Sequence, residues 1–132
     1  MHLVSLEENK TVEKRLAITP EIAKKYISLG FKLSLPNGYG LHLGFNDENY
    51  SNLGVELLNN EKEIINNSDV IIQLGLPDDE KLSLLKENQT LVGSLNAVFN
   101  KERLNNLKKK KINCFSLELL PRITRAQSMD IL

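Results

Sequence analysis

Short runs of leucine and β-branched residues alternate along the chain with longer stretches in which apolar residues recur every three or four positions. Compact apolar runs are typical of buried β-strands, and the three-to-four spacing is typical of helices with one apolar face. Strands that alternate with helices in this way usually form a parallel sheet, because each helix crosses one face of the sheet to reach the next strand. The pattern therefore predicts an α/β fold, with helices on both faces of a parallel sheet.

Local start and stop signals place the individual elements. Thr19 is a typical helix cap, Pro20 suits the first helical position, and Gly30 ends that helix. The unbroken apolar run Val70-Ile71-Ile72 predicts a fully buried strand. The predicted strands are 2–6, 31–35, 55–58, 69–74, 90–95 and 112–117, and the predicted helices are 20–29, a short one from 47, 61–67, 77–85 and 101–109.

Composition restricts the class of protein further. The chain has 132 residues, 41% of them hydrophobic and 26% charged, which is ordinary for one globular domain. Its 17 basic and 17 acidic residues give a net charge of zero. Such a chain has no overall field that would attract a polyanion, so we expect no nucleic-acid partner.

The cysteine content and the N-terminus bear on the cellular compartment. The single cysteine, Cys114, has no partner for an internal disulfide, which favours a reducing compartment. The N-terminus lacks the basic residues and the apolar run of a signal peptide. All apolar runs are much shorter than the roughly 18 residues that a membrane span needs, so we expect no direct membrane insertion of this segment.

Charge is segregated along the chain although it cancels overall. Residues 47–80 contain nine acids and one base, a net charge of −8, whereas residues 101–111 carry a net charge of +5. The lysines at 108–111 fall where a helix should end, and there they complement the helix dipole. A phosphate or nucleic-acid patch is the alternative, but no aromatic residues are interleaved with these lysines.

Arginine is concentrated in two short segments. Thirteen of the 17 basic residues are lysines, and three of the four arginines are Arg15, Arg122 and Arg125. Because arginine holds a carboxylate, phosphate or amide oxygen through two parallel bonds, these segments are candidate ligand sites. Arg15 follows Glu13 and Lys14 in a polar loop, which favours a surface ion pair over a ligand contact there. Residues 121–130 follow the last predicted strand and combine guanidinium, amide, hydroxyl and carboxylate groups, which favours ligand recognition there.

Other reactive residue types form no site that the sequence can identify. His2 and His42 have no cysteine or carboxylate at metal-ligand spacing. Cys114 lies within an apolar run, so we interpret it as a core residue and not as a nucleophile. Glu7 and Glu8 follow the first strand, but the Asp and Lys of an acidic receiver pocket are absent at the ends of later strands.

At the two arginine segments the sequence resembles the alanine dehydrogenase and proton-translocating pyridine nucleotide transhydrogenase family, and the resemblance extends from end to end of the chain. The sequence VEKRLAITP at 12–20 is similar to the family motif N-E-x-R-V-A-x-T-P. The sequence PRITRAQSMD at 121–130 is similar to the signature P-R-x-[ST]-R-A-Q-S-x-D of the transhydrogenase alpha subunit. The second match distinguishes transhydrogenases from alanine dehydrogenases in general.

Two departures from the pattern of alanine dehydrogenases favour the transhydrogenase branch. Alanine dehydrogenases carry a catalytic lysine at the end of the fourth strand and a histidine after the fifth, and these places hold Gln73 and Asn96 here. Neither side chain is a general acid or base near neutral pH. Direct hydride transfer between two nicotinamides requires no such group. Since transhydrogenases often keep the same lysine, the role of Gln73 stays open.

The resemblance implies a Rossmann-like or flavodoxin-like α/β domain, the first of the two domains of the family. We expect residues 1–120 to form this domain and residues 121–132 to begin a connecting helix, with the NAD(H)-binding domain outside this chain. The complete enzyme would transfer hydride from NADH to NADP+, coupled to proton translocation, and the chain alone would be inactive. By the resemblance, Arg122, Gln127 and Asp130 position the nicotinamide of NAD(H), and Arg125 and Ser128 support them.

The same resemblance implies partners and a location. The beta subunit, which would bind NADP(H), and a membrane domain would be the partners of this chain. The chain would then be a peripheral domain at the cytoplasmic side of the bacterial inner membrane. An alanine dehydrogenase-type amino-acid oxidoreductase is the second hypothesis. A stand-alone α/β interaction module is the third.

Overall fold

The computed structural model describes residues 1–8 and 14–117, and all the predicted strands and helices are present in it. The strands are β1 (His2–Val4), β2 (Lys32–Pro36), β3 (Glu56–Leu58), β4 (Val70–Ile72), β5 (Thr90–Gly93) and β6 (Asn113–Ser116). The helices are α1 (Pro20–Ser28), α2 (Asp47–Ser51), α3 (Glu61–Asn66), α4 (Asp79–Leu82) and α5 (Lys101–Lys109), and one 3₁₀ turn spans Leu41–Leu43.

All six strands pair in parallel, in the order β3-β2-β1-β4-β5-β6. The chain builds the sheet outward from β1 to β3, then crosses to the other side of β1 and builds outward again to β6. The direction of building therefore reverses between β1 and β4. In open parallel sheets this reversal leaves a crevice at the carboxyl ends of the two strands, where ligands commonly bind.

Alternate residues of the strands contribute to two cores, one on each face of the sheet. Leu3 and Ile72 belong to a core shared with Ala23 of α1 and Tyr50 of α2. Val4 and Ile71, their neighbours in sequence, belong to the opposite core. That second core also contains apolar side chains from the remaining helices, namely Ile64, Ile65, Leu82 and Leu107. The prediction of an α/β fold with helices on both faces is therefore confirmed.

The helix boundaries follow the capping chemistry. Thr19 caps α1, since its side chain accepts the Ile22 N–H at 3.3 Å and Pro20 takes the first helical position. The prediction that the fourth helix spans 77–85 was wrong in its limits. Asp78 accepts the Lys81 N–H at 3.0 Å and so becomes the cap, and α4 starts one residue later at Asp79.

Two central strands are shorter than the apolar pattern predicts. β1 ends at Val4 instead of residue 6, and β4 ends at Ile72 instead of residue 74. Beyond these points the backbone of Leu6 bonds to the side chain of Gln73. The two strands therefore separate at the carboxyl edge of the sheet. Among the described helices, none has the length and apolar character needed to cross a membrane.

Candidate functional site at the carboxyl edge of the sheet

A crevice of about 580 Å³ opens where β1 and β4 diverge. One wall comes from the residues after β1 and another from the residues after β4, with further side chains from α4 and α5. Its lining residues are Glu7, Glu8, Gln73, Leu76, Pro77, Asp78, Asp79, Lys81 and Arg103. This is the position at which a sheet of this strand order is expected to bind ligands.

Gln73 closes the floor of the crevice. Its side chain is 3% exposed, and its Oε1 accepts the Leu6 N–H at 2.5 Å. Its Nε2 donates to Leu6 O at 3.2 Å and to Glu8 Oε2 at 2.7 Å. The hydroxyl of Ser5 also donates to Oε1, at 3.3 Å. The amide is therefore fully occupied in holding the segment after β1 against the end of β4.

The carboxylate of Glu8 lies across the end of β4. Besides the Gln73 side chain, two consecutive backbone groups donate to it: Leu74 N–H to Oε2 at 2.9 Å and Gly75 N–H to Oε1 at 3.2 Å. Charge-assisted bonds of this kind are stronger than bonds between neutral groups. Glu8 thus fixes the loop after β4 to the loop after β1.

The two cations of the crevice are engaged by the protein itself. Lys81 Nζ donates to Glu7 O at 2.9 Å and lies 3.3 Å from Glu61 Oε2. Arg103 donates to Asp79 Oδ1 at 2.9 Å and to Pro77 O at 2.6 Å. The four acidic residues of the lining, Glu7, Glu8, Asp78 and Asp79, outnumber these two cations. Within the described part of the chain, no three His, Cys, Asp or Glu side chains are arranged to hold a metal ion.

Two tyrosines fix the segment that follows Arg15. Tyr39 OH accepts the Ile18 N–H at 3.2 Å, and Tyr50 OH donates to Ile18 O at 2.9 Å. The two rings meet edge to face at 6.0 Å. Burial raises the pKa of Tyr39 to about 12 and also raises the pKa of Tyr50. Both hydroxyls are therefore neutral donors and acceptors at physiological pH, and their role at this position is to hold the backbone.

The structure places some of the predicted site residues and not others. The main candidates, Arg122, Arg125, Gln127, Ser128 and Asp130, lie outside the described residues.

Among the described candidates, Arg15 is exposed, and Gln73 lies in the crevice. Asn96 is exposed after β5, with a positive φ of 52°, and its main-chain oxygen accepts the amides of Phe99 and Asn100. Cys114 packs against the second core as predicted, and burial raises the pKa of its thiol.

Sequence reasoning missed the role of Glu8. The sequence placed Glu8 after the first strand and Gln73 at the end of the fourth, but the two strands are far apart along the chain. Only the strand order makes them neighbours, and periodicity carries no information about strand order. The acid itself, directly after a strand in an α/β pattern, was the available signal.

The fold and the crevice together define a Rossmann-type α/β domain, since the strand order β3-β2-β1-β4-β5-β6 is the order found in dinucleotide-binding folds. The chain belongs to the family described as "Alanine dehydrogenase/PNT, N-terminal domain", whose sequence model matches residues 4–132. The predicted family is thereby confirmed.

Individual relatives agree with this assignment. The chain is 35% identical to an NAD(P) transhydrogenase subunit alpha polypeptide of Rickettsia prowazekii and 32% identical to the polypeptide of the same name from Rhodospirillum rubrum. Each match covers 100% of this chain and 36% of the relative, so the chain spans about a third of the length of these proteins. An alanine dehydrogenase of Methanococcus maripaludis is 31% identical over 85% of the chain and 30% of its own length.

Solved structures show the same fold. The transhydrogenase of Sinorhizobium meliloti superimposes with a TM-score of 0.87 at 29% identity, over 98% of this chain and 39% of the other. An L-alanine dehydrogenase superimposes with a TM-score of 0.82 at 19% identity, over 89% of this chain and 32% of the other, and shares the fold.

Proposed function

We propose that this chain forms part of the alpha subunit of an NAD(P) transhydrogenase, which transfers hydride from NADH to NADP+ coupled to proton translocation. The observation that carries the proposal is the 35% identity to a transhydrogenase alpha subunit over the whole of this chain. Residues 1–120 form the first α/β domain, and residues 121–132 begin the helix that leads to an NAD(H)-binding domain of the same subunit.

Residues 121–130 supply this domain's contribution to the nicotinamide site. The planar guanidinium of Arg122 donates hydrogen bonds to the nicotinamide group. The amide of Gln127 bonds to its carboxamide, and the carboxylate of Asp130 accepts a hydrogen bond from the same group. Arg125 and Ser128 support these three side chains. Their task is to hold the NAD(H) ring in register with the ring of NADP(H), because hydride transfer depends on close alignment of donor and acceptor carbons.

The state of the crevice supports this choice of chemistry. The Gln73 amide is occupied by Leu6 and Glu8, so it offers a substrate neither a proton acceptor nor a charge. Oxidation of an amino acid needs a proton acceptor near the reacting carbon, whereas hydride exchange between two nicotinamides does not. A Gln73 amide that is already bonded to the protein is compatible with the second reaction.

The partners follow from the same proposal. NADP(H) is carried by the beta subunit, and a membrane domain couples hydride transfer to proton movement. The domain then sits at the cytoplasmic side of the bacterial inner membrane, attached through these partners.

Hydride transfer in the complete assembly tests the proposal. The full product of the gene, combined with the beta subunit, should reduce a thionicotinamide analogue of NADP+ with NADH, and the reduced analogue is followed by its own absorbance. Asp130→Asn should lower this rate strongly, while the control Glu21→Gln, on the exposed face of α1, should not. An assembly that fails to transfer hydride, or an Asp130→Asn variant of full activity, would count against the proposal.

The 132-residue chain alone provides a second test. It should be inactive in the same assay, and turnover by the isolated chain would contradict the assignment of NAD(H) binding to another domain.

Alanine dehydrogenase activity is the second candidate, because an alanine dehydrogenase is 31% identical over 85% of the chain. Alanine-dependent reduction of NAD+ by the full gene product, without transfer to the NADP+ analogue, would establish it. A reading frame that stops directly after codon 132 would favour the third possibility, an interaction module.

A further inference from the structure

Three N–H groups converge on the carboxylate of Glu8. Gln73 Nε2 and Leu74 N donate to Oε2 at 2.7 and 2.9 Å, and Gly75 N donates to Oε1 at 3.2 Å. Consecutive backbone N–H groups that point to one place form a concave site for anions, of the kind that proteins use for carboxylates and phosphates. The side-chain amide completes this donor set on its inner side.

The position of the donor set is that of a ligand site. It lies at the carboxyl end of β4, beside the end of β1, where the direction of sheet building reverses. Open α/β sheets bind ligands at this point. Glu8 therefore stands where the anionic group of a bound molecule would stand in such a fold.

We propose that Gln73, Leu74 and Gly75 form a binding site for one carboxylate group, and that the chain fills this site with its own Glu8. Small monocarboxylates are excluded from the native chain because an internal ligand is present at a very high effective concentration. Removal of the Glu8 carboxylate opens the site to them. This inference goes beyond the transhydrogenase proposal and stands if that proposal fails, since it concerns only the donor set and its occupant.

The size of the site limits the ligand class. The three donors bond to the terminal carboxylate of Glu8, and alanine lacks that carboxylate and the methylene carbon that carries it. Replacement by alanine frees room for a carboxylate with one or two carbons, so formate and acetate are the appropriate probes. Chloride at the same ionic strength controls for nonspecific effects of salt.

Chemical rescue of Glu8→Ala tests the proposal. The variant of the 132-residue chain should have a lower thermal midpoint than the native chain, and formate should restore about half or more of the loss, saturably in the millimolar range. The thermal midpoint of the native chain should be no higher in formate than in chloride. If Glu8→Ala is unfolded in buffer, circular dichroism should show refolding with formate and not with chloride.

Amide NMR locates the bound anion. In Glu8→Ala the Leu74 and Gly75 resonances should shift with formate along one saturable curve, and in the native chain they should not. Glu7→Ala is the matched control, because it removes the neighbouring carboxylate and leaves the three donors on Glu8. Glu8→Gln should remain folded and insensitive to formate, since its amide oxygen still fills the site.

Three results would overturn the proposal: equal rescue by formate and chloride, no rescue by formate at all, or formate-induced shifts of the same amides in the native chain. Either of the first two results would show that Glu8 only links the two loops and that the three donors do not bind a free carboxylate. The third would show that Glu8 leaves the site accessible. None of these outcomes depends on nucleotide binding or hydride transfer.

Discussion

The side chain of Gln73 pairs with the backbone of Leu6 as a neighbouring strand would. Its oxygen accepts the Leu6 N–H at 2.5 Å and its nitrogen donates to the Leu6 oxygen at 3.2 Å. The pair lies just beyond the last backbone pairing of β1 with β4, between Val4 and Ile71. A buried amide thus extends the sheet by one step where the two strands separate, and it leaves both backbone groups of Leu6 satisfied.

Gln73→Lys should destabilise the domain. A lysine at this position can donate to Leu6 O and to Glu8, but an ammonium group cannot accept the Leu6 N–H. A buried N–H left without an acceptor costs about 1–3 kcal/mol, and urea denaturation should show a loss of this size in the free energy of unfolding. Gln73→Met, which leaves both Leu6 groups unpaired, should cost more than Gln73→Lys. A lysine variant as stable as the native chain would contradict this account.

The strands and helices could be predicted from the sequence because the signals that specify them are local. The cap at Thr19, the proline at Pro20 and the apolar run 70–72 all lie within or beside the elements they specify. The predicted start of α4 was wrong for a local reason as well. Asp78 is the N-cap of this helix, so Pro77 lies before the helix and not at its first position.

The crevice could not be predicted, because its contacts are long-range. Glu8 and Gln73, which meet in the crevice, are separated by 65 positions. Outside the crevice, the bond of Tyr50 to Ile18 likewise spans 32 positions. Such contacts depend on strand order and on how the loops leave the sheet. The role of residues 121–130 in nicotinamide binding remains a prediction. It was inferred from residue types and from the family resemblance, and these residues lie outside the described ones.

Tyr39→Phe should release the segment that carries Arg15. The substitution removes the acceptor of the Ile18 N–H and the hydroxyl that shares a hydrogen bond with Ser5. We expect a loss of about 1–3 kcal/mol in stability and a faster hydrogen exchange of the Ile18 amide. Tyr26→Phe keeps both bonds to Ile18 and serves as the control, so an equal increase in exchange in that variant would show that the effect is not specific to Tyr39.

Gly93→Ala should disrupt the pairing of β5 with the end of β4. A Cβ at position 93 would lie 2.3 Å from the main-chain oxygen of Gln73, which is too close for any side-chain carbon. The strands would have to move apart, and the cost should lie at or above the upper end of the roughly 1–3 kcal/mol typical of overpacking.

Gly75→Ala provides the comparison, because its Cβ would meet Glu8 Oε1 at an ordinary 3.8 Å. Its effect on the free energy of unfolding, measured by urea denaturation, should stay within about 0.5 kcal/mol. Similar losses for the two variants would refute the steric argument.

Alkaline pH should unfold the domain through its buried tyrosines. The native pKa of Tyr39 is about 12, against 10.0 for an unperturbed tyrosine, because burial disfavours the phenolate, and the pKa of Tyr50 is raised for the same reason. The unfolded chain therefore releases these protons first, so stability is unaffected below pH 10 and falls as the pH rises from there towards 12. Each such tyrosine contributes a slope of about 1.4 kcal/mol per pH unit.

Urea denaturation across this pH range should show the decline in the free energy of unfolding. Tyr39→Phe should make the decline shallower, although the variant starts from a lower stability at pH 8. An unchanged slope in Tyr39→Phe would mean that the hydroxyl ionises as readily in the folded domain as in the unfolded chain, which is incompatible with its burial between Ser5 and Ile18.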